Sequence, residues 1–379
     1  MPKTGLRSLY KQMKRREFAA GAALLTLLGA CSSADKVYIA VAAPLSGDQA
    51  VQGEYMLKAV QLAVDEVNKK GGIKGKTVEI VTGDDQAKPL DATSVARKLA
   101  STDGVYGVIG HFNSGCSIPA SSIYSQSNLV MITPGSTNPT LTEQGLKNIY
   151  RIVGRDDQQG SVDGDFALKK LKALRIAILH DKTPYGQGLA AFFRDTVEKG
   201  GAEVVFFEGI TRGDKDFRAV LTKIKTIDPD LLFYGGVFVE AGLVVSQARE
   251  LGIDARFMSG DGTKDQSFVE LVGKTTGDIY VSGPAQINNK AFVDAYRTKF
   301  NNEAPGPFGP YAYDAARILL AAMEKAPKLT REAVAEEVRK IKVFPGLAGP
   351  IAFDDKGDVV KAPFDIYVIK GGVFVPYRA

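Results

Sequence analysis

The sequence predicts an α/β protein built as two doubly wound parallel-sheet lobes joined by hinge strands. Three observations carry this. The chain has 379 residues, more than one hydrophobic core ordinarily serves. Short β-branched runs alternate with amphipathic helical stretches, the pattern of right-handed βαβ crossovers. The alternation pauses once, near Arg151–Gly154, and then restarts.

In order, Val37–Ala42 reads as a strand and Gly53–Lys70 as a helix with Leu57, Val60, Leu62, Ala63 and Val67 along its apolar side. Thr77–Thr82 and Val105–Gly110 are strands on either side of a helix at Pro89–Leu99. A helix at Ile118–Gln126 and a strand at Leu129–Thr133 follow. After the pause come strands at Arg175–His180, Glu203–Phe207, Leu231–Tyr234, Phe257–Ser259 and Ile279–Val281, with helices near 187–199, 216–226, 239–251 and 265–272. Gly200-Gly201 and Leu251-Gly252 are stop signals. Helices at Lys290–Phe300, Tyr311–Ala326 and Arg331–Lys340 come after the second series of strands. The chain closes on a hairpin, Phe364–Val368 and Val373–Pro376, turning at Gly371-Gly372.

Charge is concentrated at the start. Residues 1–31 hold six basic side chains and one acidic one, which leaves 42 of each in the remainder despite a net charge of +5. A neutral body offers no electrostatic footprint for phosphate, so nucleic acid is not an expected partner. Lys14-Arg15-Arg16 precedes an apolar run, Phe18 to Leu28, and a small-residue junction, Leu28-Gly29-Ala30-Cys31. This is an export signal with either Met1 or Met13 as its start. Arg15-Arg16 fits a twin-arginine leader and an ordinary secretory leader equally. Leu-Gly-Ala-Cys resembles a lipobox, which would make Cys31 an acylated new N-terminus. The expected mature protein is therefore exported to the periplasm or cell envelope and lipid-anchored. With Cys31 acylated, Cys116 has no partner for a disulfide.

Enzyme signatures fail in detail. Gly71–Thr77 is one residue short of a phosphate-binding loop and follows a helix instead of a strand. Gly186-Gln187-Gly188-Leu189-Ala190-Ala191 matches G-x-G-x-x-A, but five residues separate it from its strand. The two histidines, His111 and His180, end strands in different halves, and nothing has metal-ligand spacing. No catalytic residue, cofactor or metal is expected.

The loops after strands are more informative, because open parallel sheets bind ligands beyond their carboxyl ends. Gly110–Gly115 (GHFNSG) and Pro134–Pro139 (PGSTNP) present Ser114 and Thr137 with free backbone N–H groups, a cradle for a carboxylate. Asp261, in Ser259-Gly260-Asp261-Gly262, could face them and pair with an ammonium. Each alone reads equally as a helix cap or turn residue.

Taken together, these segments resemble the leucine/isoleucine/valine-binding proteins of ABC transporters, which have the type I periplasmic fold. The resemblance runs through Val41–Gly47 (VAAPLSG), Val67–Gly75 (VNKKGGIKG), Val108–His111 (VIGH), Met131–Pro134 (MITP), Arg175–Gly188 (RIAILHDKTPYGQG), Phe233–Gly236 (FYGG) and Gly349–Asp358 (GPIAFDDKGD). It implies that Ser114 and Thr137 hold a carboxylate, that Gly135 and Ser136 supply backbone groups, that Asp261 (a glutamate in the family) binds the ammonium, and that Tyr185 closes over the ligand. It also implies a permease partner and a monomer. Gln52 and Val237 stand where the family carries tyrosines, Phe112 and Phe308 remain apolar, and Ala87 and Asn113 replace the family's cysteine pair. The implied domains are a leader at 1–31, a first lobe of 36–155 plus 285–362, and a second of 156–284 plus 363–379. The function implied is capture of a small apolar amino acid for import. A sensory protein of the same fold for an amide or aromatic carboxylate, and an NAD-dependent enzyme, are the alternatives.

Overall fold

The computed structural model describes residues 36–273 and 278–378; the leader and Cys31 lie outside the described residues. Two sheets dominate. The first has five parallel strands in the order β2-β1-β3-β4-β5: β1 (Lys36–Ala43), β2 (Thr77–Asp84), β3 (Val105–Gly110), β4 (Val130–Thr133) and β5 (Ile149–Arg151). The second repeats that order with β6 (Arg175–His180), β7 (Glu203–Gly209), β8 (Leu231–Gly235), β9 (Arg256–Ser259) and β10 (Ile279–Pro284), arranged β7-β6-β8-β9-β10. A short separate hairpin pairs β11 (Phe344–Gly346) with β12 (Gly349–Ile351). The terminal hairpin, β13 (Phe364–Lys370) and β14 (Val373–Pro376), extends the second sheet antiparallel from β10.

Both faces of each sheet are covered. Along β1, Val37, Ile39 and Val41 enter one core while Ala40 and Ala42 enter another on the opposite face. Along β6, Ala177 and Leu179 alternate with Ile176 and Ile178 in the same way. A strand buried on both faces reads as a continuous apolar run, which is why these segments were legible. The covering helices are α1 (Ala50–Lys69), α2 (Pro89–Ser101), α3 (Ser114–Gln126), α4 (Thr140–Glu143), α5 (Asp156–Lys169), α6 (Pro184–Lys199), α7 (Arg218–Ile227), α8 (Phe238–Glu250) and α9 (Gln266–Val272), then α10 (Lys290–Lys299), α11 (Gly309–Lys325) and α12 (Arg331–Arg339). The last three return to the first sheet: Phe292, Leu319 and Val334 share a core with Ile39 and Val41.

The chain thus passes between the sheets after β5, after β10 and before β13. The crossings touch: Ala285 N–H donates to Pro363 O at 3.1 Å, and a Cβ on Gly154 would stand 2.3 Å from the Phe364 ring.

Beyond the short elements β5, α4, β11 and β12, which the sequence expectation did not include, two longer helices depart from it. Helix α5 falls where the pattern pauses, because Gly160 and Gly164 read as helix breakers. They permit close packing instead: a Cβ on Gly160 would lie 2.6 Å from Phe192, and one on Gly164 2.6 Å from Thr196, both on α6. Helix α3 begins at Ser114, four residues before the expected start at Ile118. Pro119 lies inside it and masks the first turn.

Candidate ligand-binding site

In a sheet ordered 2-1-3-4-5, the ligand crevice lies where the strand order reverses, between the first and third strands. Both sheets present that end to the same cleft. From the first come Phe112, Asn113 and Ser114 after β3, and Gly135 after β4. From the second come Tyr185 beyond β6, Val237 beyond β8, and Asp261 and Gly262 beyond β9. These eight residues line one small cavity. The space left between them, about 20 Å3, is room for a single water, so the lobes are closed onto each other. Bonds across the cleft agree: Gln52 Nε2 donates to Asp265 Oδ2 at 2.7 Å, Asn138 Nδ2 to Pro184 O at 2.6 Å, and an Arg212 guanidinium N–H to Ala87 O at 3.2 Å.

Asp261 is the centre of the second lobe's contribution. It opens a short 3-10 turn and is only 2% exposed. The Tyr185 hydroxyl donates to its Oδ1 at 2.7 Å and accepts the Gly262 N–H at 2.8 Å. The aspartate is flanked by glycines where there is no room for a side chain: a Cβ at 260 would lie 2.3 Å from Leu189 and 2.9 Å from the Tyr185 hydroxyl, and one at 262 would lie 2.8 Å from both Gly236 O and the Tyr185 ring. Burial pushes the Asp261 carboxyl up to about 6, with the Tyr185 and Gln159 hydrogen bonds opposing.

Behind Asp261 lies a chain of buried polar groups. The Gln159 amide is oriented by its neighbours: its NH2 faces Asp261 Oδ1 at 3.0 Å, and its oxygen faces the Asp261 N–H at 2.9 Å and Ser282 Oγ at 2.8 Å. Ser282 Oγ is also 3.0 Å from Asp163 Oδ2. Ser282 donates to that oxygen, and burial pushes the Asp163 carboxyl well above the ordinary range with the Ser282 hydrogen bond opposing. Asp156 is raised in the same direction, by burial first and by the neighbouring Asp261 second. Its two oxygens are buried without a hydrogen-bond partner, as is Thr137 Oγ1 beside it. At the head-group end burial thus raises all three acids, Asp261 to about 6 and Asp156 and Asp163 well above the ordinary carboxylate range.

The first lobe supplies the opposite charge preference. Ser114 stands at the N-terminus of α3, and its Oγ accepts the Asn138 N–H at 3.2 Å, tying the two loops together. The β4–α4 loop is held by Arg151, which is fully buried. Its guanidinium donates to Ser136 O at 3.0 Å, Asn138 O at 2.9 Å, Thr142 Oγ1 at 2.7 Å and Asp358 Oδ1 at 2.5 Å. Hydroxyl and helix N-terminus on one wall, carboxylate on the other, suit a small zwitterion.

Of the residues predicted from sequence, Phe112, Ser114, Gly135, Tyr185, Val237 and Asp261 meet around the cavity. Four do not line it. Thr137 is buried behind, next to Asp156. Ser136 is committed elsewhere: its Oγ is 2.6 Å from Ser117 Oγ, its N–H donates to Thr133 Oγ1 and its carbonyl accepts from Arg151. That corrects the expectation that Ser136 offers free backbone groups, because loop rigidity uses them. Gln52 turns to Asp265, and Phe308 backs Phe112 edge-on with ring centroids 5.0 Å apart. Sequence reasoning missed Asp156, Gln159 and Asp163, all on the unforeseen α5. The only available signal was Asp156-Asp157-Gln158-Gln159, which looks like a solvated stretch.

Two matching switch points closing over one small cavity define a two-lobed binding protein. The chain belongs to the periplasmic binding protein family, whose profile matches residues 36–372. It is 39% identical over 351 residues to a Leu/Ile/Val-binding protein homolog 2 from Brucella abortus, covering 92% of this chain and 94% of that one. It is 37% identical over 339 residues to the leucine-, isoleucine-, valine-, threonine-, and alanine-binding protein of Pseudomonas aeruginosa, covering 88% and 90%. Among solved structures, LivJ from Streptococcus pneumoniae, a branched-chain amino acid transporter substrate-binding protein in complex with isoleucine, superposes with a TM-score of 0.81 at 30% identity. That match covers 90% of this chain and all of that one. Among the described residues, no helix is long and apolar enough to cross a membrane.

Proposed function

We propose that this chain is the substrate-binding component of an amino-acid ABC importer and binds a small, branched-chain-like amino acid between its lobes, without catalysis. The observation that carries the reading is Asp261, a buried and largely ionised carboxylate facing Ser114 and the N-terminus of α3 across one cavity. The ligand's carboxylate goes to Ser114, its ammonium to Asp261, and its side chain toward Phe112 and Val237. Thr137 and Asp156 wait just behind the head group. The relatives' printed functions support the same class of cargo.

The lobes divide at the crossings, 36–155 plus 285–362 against 156–284 plus 363–378, and hinge there to admit the ligand. The closed form is what a membrane permease recognises. The protein acts after export, tethered through an acylated Cys31. Titration calorimetry of the mature chain with leucine, isoleucine, valine, alanine and phenylalanine tests the proposal. Saturable binding of at least one of them is expected, and failure of all of them refutes it.

A further inference from the structure

We infer that the far end of the cleft reads a hydrogen-bonding side chain: among amino acids of one shape, the site favours the member carrying a hydroxyl or a primary amide over the hydrocarbon. This rests on the amino-acid reading above and narrows its side-chain class.

Past the head-group cavity a second space of about 50 Å3 continues the first, with Asn113, Ser114, Tyr185 and Val237 lining both. A hydrocarbon-reading pocket would be closed here by aliphatic or aromatic groups. Here the wall is apolar over most of its area but also carries Asp181, Thr183, Arg212 and Asn113. Asp181 is 2% exposed; its Oδ1 accepts from Thr183 N–H at 2.9 Å and from the Thr183 hydroxyl at 2.6 Å, while its Oδ2 is buried with no partner. Asn113 spends its NH2 on Gln49 Oε1 at 2.9 Å, and its own oxygen is buried with no partner. Arg212 gives one hydrogen bond, to Ala87 O, and pairs with no carboxylate among the described residues.

Two buried acceptors without donors, one from each lobe, are a deficit that an O–H or N–H fills and a methyl group does not. The guanidinium beside them offers the complementary donor. A hydroxyl satisfies one acceptor, and a primary amide satisfies an acceptor and the guanidinium together. Sites built this way reject the isostere that lacks the polar group, because their own groups then stay desolvated and unpaired.

The test is titration calorimetry of the mature chain with two shape-matched pairs, valine against threonine and leucine against asparagine. The polar member of each pair is expected to bind about tenfold tighter or better. Asp181→Asn keeps an oxygen for the Thr183 turn but turns the free acceptor into a donor, and Arg212→Met removes the guanidinium from a half-buried loop. Either variant should shrink the preference to under about threefold; Asp181→Asn should leave alanine affinity unchanged, while Arg212→Met, which also removes the bond across the cleft to Ala87 O, is read by the preference alone. Valine and leucine binding as tightly as threonine and asparagine in the native protein overturns the inference and leaves the amino-acid reading standing. Failure of all four to bind overturns both.

Discussion

Asp261 shows how a single side chain acquires a role from its surroundings. By type and neighbours it is a turn aspartate beside a glycine. Burial raises its carboxyl, and the Tyr185 hydroxyl and the Gln159 amide oppose that rise and favour the ionised form. Asp261→Asn removes the counter-charge of a buried ammonium, a loss of about 3–5 kcal/mol, or roughly two to three and a half decades in affinity. Calorimetry on the folded variant checks this, and a loss under threefold would assign the aspartate to the turn alone.

The same residue sets a pH dependence. Its carboxyl ionises near 3.8 when unperturbed and near 6 in the folded protein. Between those values the folded state binds the extra proton, so this group's contribution to stability is present at low pH and declines as pH rises through about 6. Ligand affinity runs the other way, because the ammonium needs the ionised form. Affinity should be flat from pH 7 upward and about tenfold weaker at pH 5. Tyr185, Asp156 and Asp163, the titratable groups nearest Asp261, are all raised, by burial first. A pH-independent dissociation constant from 5 to 8 would contradict the assignment.

At the scale of elements, the β4–α4 loop owes its shape to a charge brought from the other end of the chain. Asp358 sits near the return crossing and bonds both Arg151 and Arg155, at 2.5 and 2.8 Å. Arg151 in turn holds the carbonyls on either side of Thr137. Asp358→Ala leaves a fully buried guanidinium unpaired, a cost of about 3–5 kcal/mol. Urea unfolding should register that loss. Ligand affinity should also fall, because the loop bearing Gly135 and Thr137 is released. Unchanged stability would mean that water replaces the carboxylate. Helix α5 makes a related point. Its two glycines look like breaks in a one-dimensional pattern, and only the close approach of α6 explains why the helix keeps them.

For the whole molecule, function is a balance between open and closed lobes. A ligand stabilises the closed arrangement because only there do Ser114 and Asp261 reach it together. Small-angle scattering should show a smaller radius of gyration when ligand is added. At one hundred times the dissociation constant, unfolding should require ~2.7 kcal/mol more. A ligand that binds without compaction would argue that the lobes stay closed throughout. The tether is testable separately: Cys31→Ala should convert a membrane-extracted lipoprotein into a soluble export product, and mass spectrometry of the native protein should find acyl chains on Cys31. Cleavage at another residue would refute it.

The sequence by itself determined the α/β class, the two series of strands and most of the strand boundaries. Strands buried on both faces, such as Val37–Ala42 and Arg175–His180, are written as uninterrupted apolar runs, and their loops announce themselves with glycine and proline. The rule that loops after parallel strands lie at one end of a sheet pointed to Ser114 and Asp261, and the family resemblance pointed to Phe112, Gly135, Tyr185 and Val237 beside them. Only the tertiary structure decided the strand order, the contacts by which α10 to α12 enter the first core, and the buried acids of α5. Those depend on which surfaces close over which. A carboxylate such as Asp156 is soluble or desolvated according to neighbours a hundred residues away, and no local pattern records that distance.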